Sequence, residues 1–143
     1  KSLRDVLEVR KALEELAVQL CCDKITKDEV GELEKAAEDF KTAIRKGGLT
    51  EIAEADVKFH DVIYMATDNQ KLIQLLNNLR EQMYRYRMEY LKSDEVYPQL
   101  IAEHKDIIRH VAGKEKEKAT EVVSKHIDNQ VEGVIDTLRL KKS

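Results

Sequence analysis

Residues 97–111, YPQLIAEHKDIIRHV, decide the fold class. Pro98 stands where the first turn of a helix tolerates a residue without an N–H, and Gly113 follows as a stop. At about 100° per residue, Leu100, Ile101, Ile107, Ile108 and Val111 fall on one continuous apolar arc. His104 lies in the middle of that arc, whereas His110 falls among Gln99, Glu103 and Asp106 on the polar face. A helix with one buried face needs other helices to cover it, and caps and breakers on either side supply them.

Ser2 with Asp5 resembles a capping box and predicts a first helix to about Cys22. Thr26 with Glu29 repeats the device for a second helix, which ends at Gly47-Gly48. Thr50 is the expected cap of a third helix running to about Thr67, and Asp68 or Asn69 starts a fourth ending near Lys92. The fifth is the opening segment, and the sixth runs from about Lys114 into the tail. With no strand pattern, repeat or linker, the fold class is all-α: an antiparallel helical bundle with short connections.

The chain has 143 residues, 37% charged and 42% hydrophobic, enough for one domain with a single core. A net charge of −3 gives no global attraction to nucleic acid, and the apolar runs are too short to span a bilayer. Cys21 and Cys22 are adjacent, poor geometry for a mutual bridge, and are expected as buried thiols in a reducing, cytoplasmic setting. The chain opens on Lys1 rather than Met and enters a helix almost at once, which predicts a preceding segment in the full protein.

Wheel positions single out the polar residues that look inward. On the first helix Val6, Val9, Leu13, Leu16 and Leu20 form the expected core face, with Arg10 at its margin. Arg10 either pairs with Glu14 or receives a ligand carboxylate in a bidentate fork. On the third helix Asp56 and His60 stand one turn apart beside Ile52, Phe59 and Ile63, while Asp61 points to solvent. On the sixth, His126 sits among Ala119, Val123, Gln130 and Gly133, with Val131, Val134 and Leu138 continuing the core. Arg80 and Arg87 edge the apolar arc of the fourth helix, as structural pairs or as a second anion contact.

Three of four histidines and one carboxylate thus converge, either as a hydrogen-bonded polar core or as a metal site. The donor set suits a divalent first-row ion, with Zn²⁺ foremost and Ni²⁺ or Mn²⁺ as alternatives, and suits Ca²⁺ or Mg²⁺ poorly. Di-iron bundles use Glu-x-x-His, but the residues three before His60, His104 and His126 are Val57, Ile101 and Val123. A mononuclear hydrolase needs a general base, and no acid beyond Asp56 is placed for it. The chain is therefore not expected to be an enzyme. A purely structural helical adaptor has no use for inward histidines.

The segments EVRKALEELA, ADVKFHDVIYMATDNQKL, AEHKDIIRHVAGKEKEKA and SKHI resemble the C-terminal ligand-binding (FCD) domain of GntR-type bacterial transcription regulators, FadR-like subgroup. Its Arg-x-x-Leu-Glu is matched by Arg10, Leu13 and Glu14, and its Asp-x-x-Phe-His and Asn by Asp56, Phe59, His60 and Asn69. Its Glu-His and closing Gly are matched by Glu103, His104 and Gly113, and its late His by His126. His110 stands where the family usually has a small residue, so no role passes to it.

The resemblance implies six or seven helices around a ligand cavity, with Asp56, His60, His104 and His126 holding a divalent ion. It further implies a small carboxylate or hydroxy-acid effector near Arg10 and a homodimer; Arg10, Asn69 of the matched motif and Arg87 from its wheel position are the candidate contacts. Lactate, a sugar acid or a dicarboxylate would all satisfy it. Such regulators bind DNA through a winged-helix domain ahead of this one; this chain carries no such segment and is not expected to bind an operator alone.

Overall fold

A computed structural model describes the backbone of residues 2–142 and the side chains of residues 4–135. Seven α-helices run along the described chain: α1 (Ser2–Lys24), α2 (Lys27–Lys46), α3 (Leu49–Ala66), α4 (Gln70–Asn78), α5 (Arg80–Leu91), α6 (Tyr97–Ala112) and α7 (Lys116–Lys142). A single 3₁₀ turn, Asp94–Val96, leads into α6, and no strand occurs among the described residues. No helix of the described residues is long and apolar enough to cross a membrane.

Local chemistry accounts for most boundaries. Thr26 Oγ1 accepts from Glu29 N at 3.2 Å while Glu29 Oε1 accepts from Thr26 N at 3.0 Å, the expected capping box. Gly47, at φ +85°, closes α2 in the left-handed region that favours glycine. Asn69 caps α4 by accepting from Leu72 N at 2.9 Å. Thr50 does not cap α3: extended Gly48 takes the cap position, so the helix starts at Leu49 and Thr50 falls inside its first turn. The side chains of Ser2 and Leu138 lie outside the described residues.

Two expectations are corrected. The single fourth helix is two, broken at Leu79, whose N–H reaches only back to Leu76 O, at 3.1 Å. No Gly or Pro marks the break. It lets α4 pack on α1 while α5 turns to pack on α3 and α7. The buried face of α1 is also different: Val9 (52% exposed) and Leu16 (42%) point outward, and Leu7, Arg10, Glu14, Ala17, Val18 and Cys21 point in. Both stripes have 3,4 spacing. The winning one carries an ion pair into a polar interior that a wheel of α1 alone cannot reveal.

The packing puts α2 against α3 and α6, and α7 against α1, α5 and α6. One apolar cluster gathers Val18, Cys21, Leu33, Phe59, Ile107, Val123 and Ile127; a second gathers Phe40, Ile52, Leu91, Leu100 and Val134. Along α6, His104 stands between Leu100 of the second cluster and Ile107 of the first. Buried polar side chains thus collect where the clusters meet. Cys21 and Cys22 are free and buried; burial pushes the Cys21 thiol up to about 12.

Candidate metal and effector site

The i, i+4 spacing on α3 puts Asp56 and His60 on one face, both buried, with His60 Nε2 at 3.6 Å from Asp56 Oδ1. From α6, His104 brings its Nε2 to 2.9 Å from the same oxygen. Phe59 stacks on the His104 ring at 4.0 Å and Phe40 meets it edge-on at 4.8 Å, so the imidazole is wedged in place. The donor atoms of Asp56, His60 and His104 lie within 4.8 Å of one another.

His126, fully buried on α7, stands beside this trio rather than within its tightest group. Its ring lies 5.4 Å from that of His60 and 6.4 Å from that of His104. His126 Nδ1 meets Glu103 Oε1 at 2.6 Å, and Asn129 donates to Glu103 Oε2 at 2.9 Å. Glu103 therefore holds the tautomer that leaves His126 Nε2 bare, the arrangement in which a carboxylate orients a ligating imidazole. The Nε2 atoms of His60 and His126 are buried with no hydrogen-bond partner.

Metal bonds of about 2.1 Å put neighbouring ligand atoms roughly 3.0 Å apart in an octahedral shell and 3.4 Å apart in a tetrahedral one. The 2.9 Å and 3.6 Å separations at Asp56 Oδ1 match that scale. Electrostatics agree. Burial works to raise the Asp56 carboxyl, but His60, His104 and Arg87 outweigh it and hold it well below its ordinary 3.8. Burial lowers His104 from 6.5, towards the neutral imidazole that a metal needs. The residues present fit a divalent ion.

A cavity of about 30 Å³, room for roughly two waters, opens against His60, while Asp56, His104 and His126 lie behind its lining. Arg10, Glu14, His60, Tyr64 and Arg87 supply its polar wall. Arg10 Nε donates to Glu14 Oε2 at 3.2 Å, so the expected i, i+4 pair forms, yet Arg10 Nη2 is buried with no partner. Tyr64 donates to Glu14 Oε2 at 2.8 Å. Arg87 Nε donates to Asp56 Oδ2 at 2.7 Å, behind the ligand cluster. Asp61 is not a free solvent residue: it pairs with Arg80 at 2.8 Å, and the two line the cavity's edge.

Of the seven expected site residues, His60, His104 and Arg87 gather around Asp56, Arg10 lines the cavity with His60 and Arg87, and His126 stands beside them. Asn69 stands apart as the α4 cap and does not line the cavity. Glu103 and Tyr64 had no role assigned from sequence, and Glu14 had only that of pairing with Arg10. Spacing offered a signal for two of them, since Glu14 follows Arg10, and Tyr64 follows His60, by four residues. Glu103 reaches His126 across 23 positions, a contact that only the packing of α6 on α7 creates.

Residues 5–129 match the FCD domain family. The chain is 30% identical over 133 residues to the uncharacterized HTH-type transcriptional regulator YdhC of Bacillus subtilis (strain 168), covering 92% of this chain and 59% of that protein. Among solved structures, E. coli McbR/YncC superposes with a TM-score of 0.85 at 19% identity, over 94% of this chain and 68% of that one. Streptococcus agalactiae GntR gives 0.71 at 26% identity, over 87% and 55%. A GntR-family regulator from Pseudomonas syringae pv. tomato str. DC3000 gives 0.78 at 20%, over 97% and 57%. The chain thus spans little more than half the length of its curated relative. Fold and relatives are those of a transcription-regulator domain and not of an enzyme. With the match running through every helix that contributes to the site, the chain belongs to the FCD domain family.

Proposed function

We infer that this chain is the C-terminal effector-sensing and dimerising domain of a cytoplasmic GntR-type regulator. It holds a divalent ion through Asp56, His60, His104 and His126 and takes a small carboxylate or hydroxy acid beside it. DNA binding belongs to a separate winged-helix domain preceding it in the full protein. One observation carries the metal assignment: His60 Nε2 and His126 Nε2, two of the three buried imidazole nitrogens without a hydrogen bond among the described residues (the third is His104 Nδ1), stand next to a fully buried carboxylate. A buried polar group left unsatisfied costs about 1–3 kcal/mol, and a shared cation relieves both. The donor set favours Zn²⁺, with Ni²⁺ or Mn²⁺ as alternatives.

Bound there, the ion supplies positive charge and open positions for an anion. Arg10 Nη2 is the adjacent donor for a carboxylate, and Tyr64 with Glu14 fixes the Arg10 stem. The cavity is small, so an effector must move its walls. Those walls come from α1, α3, α4 and α5, and a ligand that prefers one packing of these helices shifts the population towards it. That repacking is the route to the attached DNA-binding domains.

The test is elemental analysis of the native protein and of His104→Ala and His126→Ala, each checked for helical content. Near-stoichiometric metal in the native protein and its loss in both folded variants is expected. A native protein that carries no metal and takes up none on titration would refute the assignment.

A further inference from the structure

Resting on the effector site proposed above, the wall that α1 gives the cavity has a chemistry of its own. Glu14, a buried carboxylate that is 5% exposed, lines the same cavity as Arg10, whose Nη2 has no hydrogen-bond partner. Both of its recorded bonds, from Arg10 Nε and from the Tyr64 hydroxyl, fall on Oε2. Oε1 is left to accept. The cavity therefore presents a guanidinium donor and a carboxylate acceptor from neighbouring residues of one helix turn.

A plain carboxylate satisfies only half of that pair. With its carboxylate on Arg10 and the ion, it leaves Glu14 Oε1 without a donor. An acid with a hydroxyl beside its carboxyl satisfies both: the carboxylate takes the Arg10 donor and the ion, and the hydroxyl donates to Glu14 Oε1. An ammonium in place of the hydroxyl is disfavoured by charge. Arg10 and Arg87 balance Glu14 and Asp56, so with neutral imidazoles the bound carboxylate compensates only half of the ion's charge and the remainder repels a second cation. We propose that Glu14 is the specificity-determining residue of this cavity and that it selects hydroxy acids over simple carboxylates and over amino acids.

The experiment is calorimetric titration of Zn²⁺-loaded protein with matched pairs: glycolate and acetate, lactate and propionate, malate and succinate, with glycine and alanine as amino counterparts. A hydrogen bond to a charged acceptor predicts that the hydroxy member of a pair binds about ten- to a hundredfold tighter. In Glu14→Gln, with metal content unchanged, that preference shrinks about tenfold because the acceptor loses its charge. Equal affinity within every pair, a preference undiminished in Glu14→Gln, or amino acids binding as tightly as hydroxy acids would each overturn the assignment. Protein that keeps its metal but binds no acid overturns the selectivity and the effector site together. Protein that cannot hold metal overturns the metal centre on which both stand.

Discussion

Replacing Arg87 with Met removes a guanidinium but keeps most of the buried stem, and its effect depends on what else faces Asp56. In the metal-free protein Asp56 is fully buried and Arg87 Nε, at 2.7 Å, is its closest charged partner. Breaking a buried pair by deleting one member costs about 3–5 kcal/mol, because the surviving charge is left uncompensated. At about 2.1 cal/mol/K per residue, a chain of 143 residues has an unfolding entropy near 0.3 kcal/mol/K. The melting midpoint of the chelator-treated variant should therefore fall by roughly 10–17 °C. With metal bound, a divalent charge compensates Asp56 directly and the same substitution should cost less than about half as much. Thermal melts of wild type and Arg87→Met, each with chelator and with Zn²⁺, measure the four corners of this cycle. An equal drop with and without metal would refute Asp56 as a ligand.

Glu103→Ala removes the carboxylate that orients His126 and should weaken metal binding about 10–100-fold, read by competition with a chromophoric chelator; unchanged affinity would remove His126 from the ligand set. Gly133→Ala drives a Cβ to 2.5 Å from the Tyr90 ring and should cost about 1–3 kcal/mol in denaturant unfolding, with an unshifted midpoint refuting the close approach of α7 to α5. In chelator-treated protein stability should fall as acid is added. Burial holds His104 below 6.5, so from that pH downward the unfolded chain takes a proton that the folded one refuses. Asp56, held well below 3.8 against burial by His60, His104 and Arg87, contributes fully above 3.8 and loses that contribution below it. Denaturant midpoints that stay flat from neutral pH to about 4 would contradict the His104 shift, and midpoints that stay flat from about 4 to about 2 would contradict the Asp56 shift.

The burial of Asp56, His60, His104 and His126 was legible because helical periodicity separates an inward histidine from an outward one: His104 sits in an apolar arc and His110 does not. Caps built from side chains, at Thr26 and Asn69, were legible for the same local reason. The α1 face was misassigned because its polar pair, Arg10 and Glu14, is buried by partners on α3, and a helix wheel charges every buried polar residue as an error. The break at Leu79 carries no breaker residue. It follows from α4 and α5 having different neighbours, which is a property of the assembled bundle.

The two adjacent thiols of α1 give this domain a built-in reporter. Cys21 and Cys22 are shut away from solvent, and burial raises both towards the inert protonated form. An alkylating reagent can reach them only during excursions in which α1 parts from the rest of the bundle. The pace of modification in otherwise native buffer therefore counts those excursions, with no engineered label. Whatever tightens the grip of Arg10 and Glu14 on the interior should slow that clock.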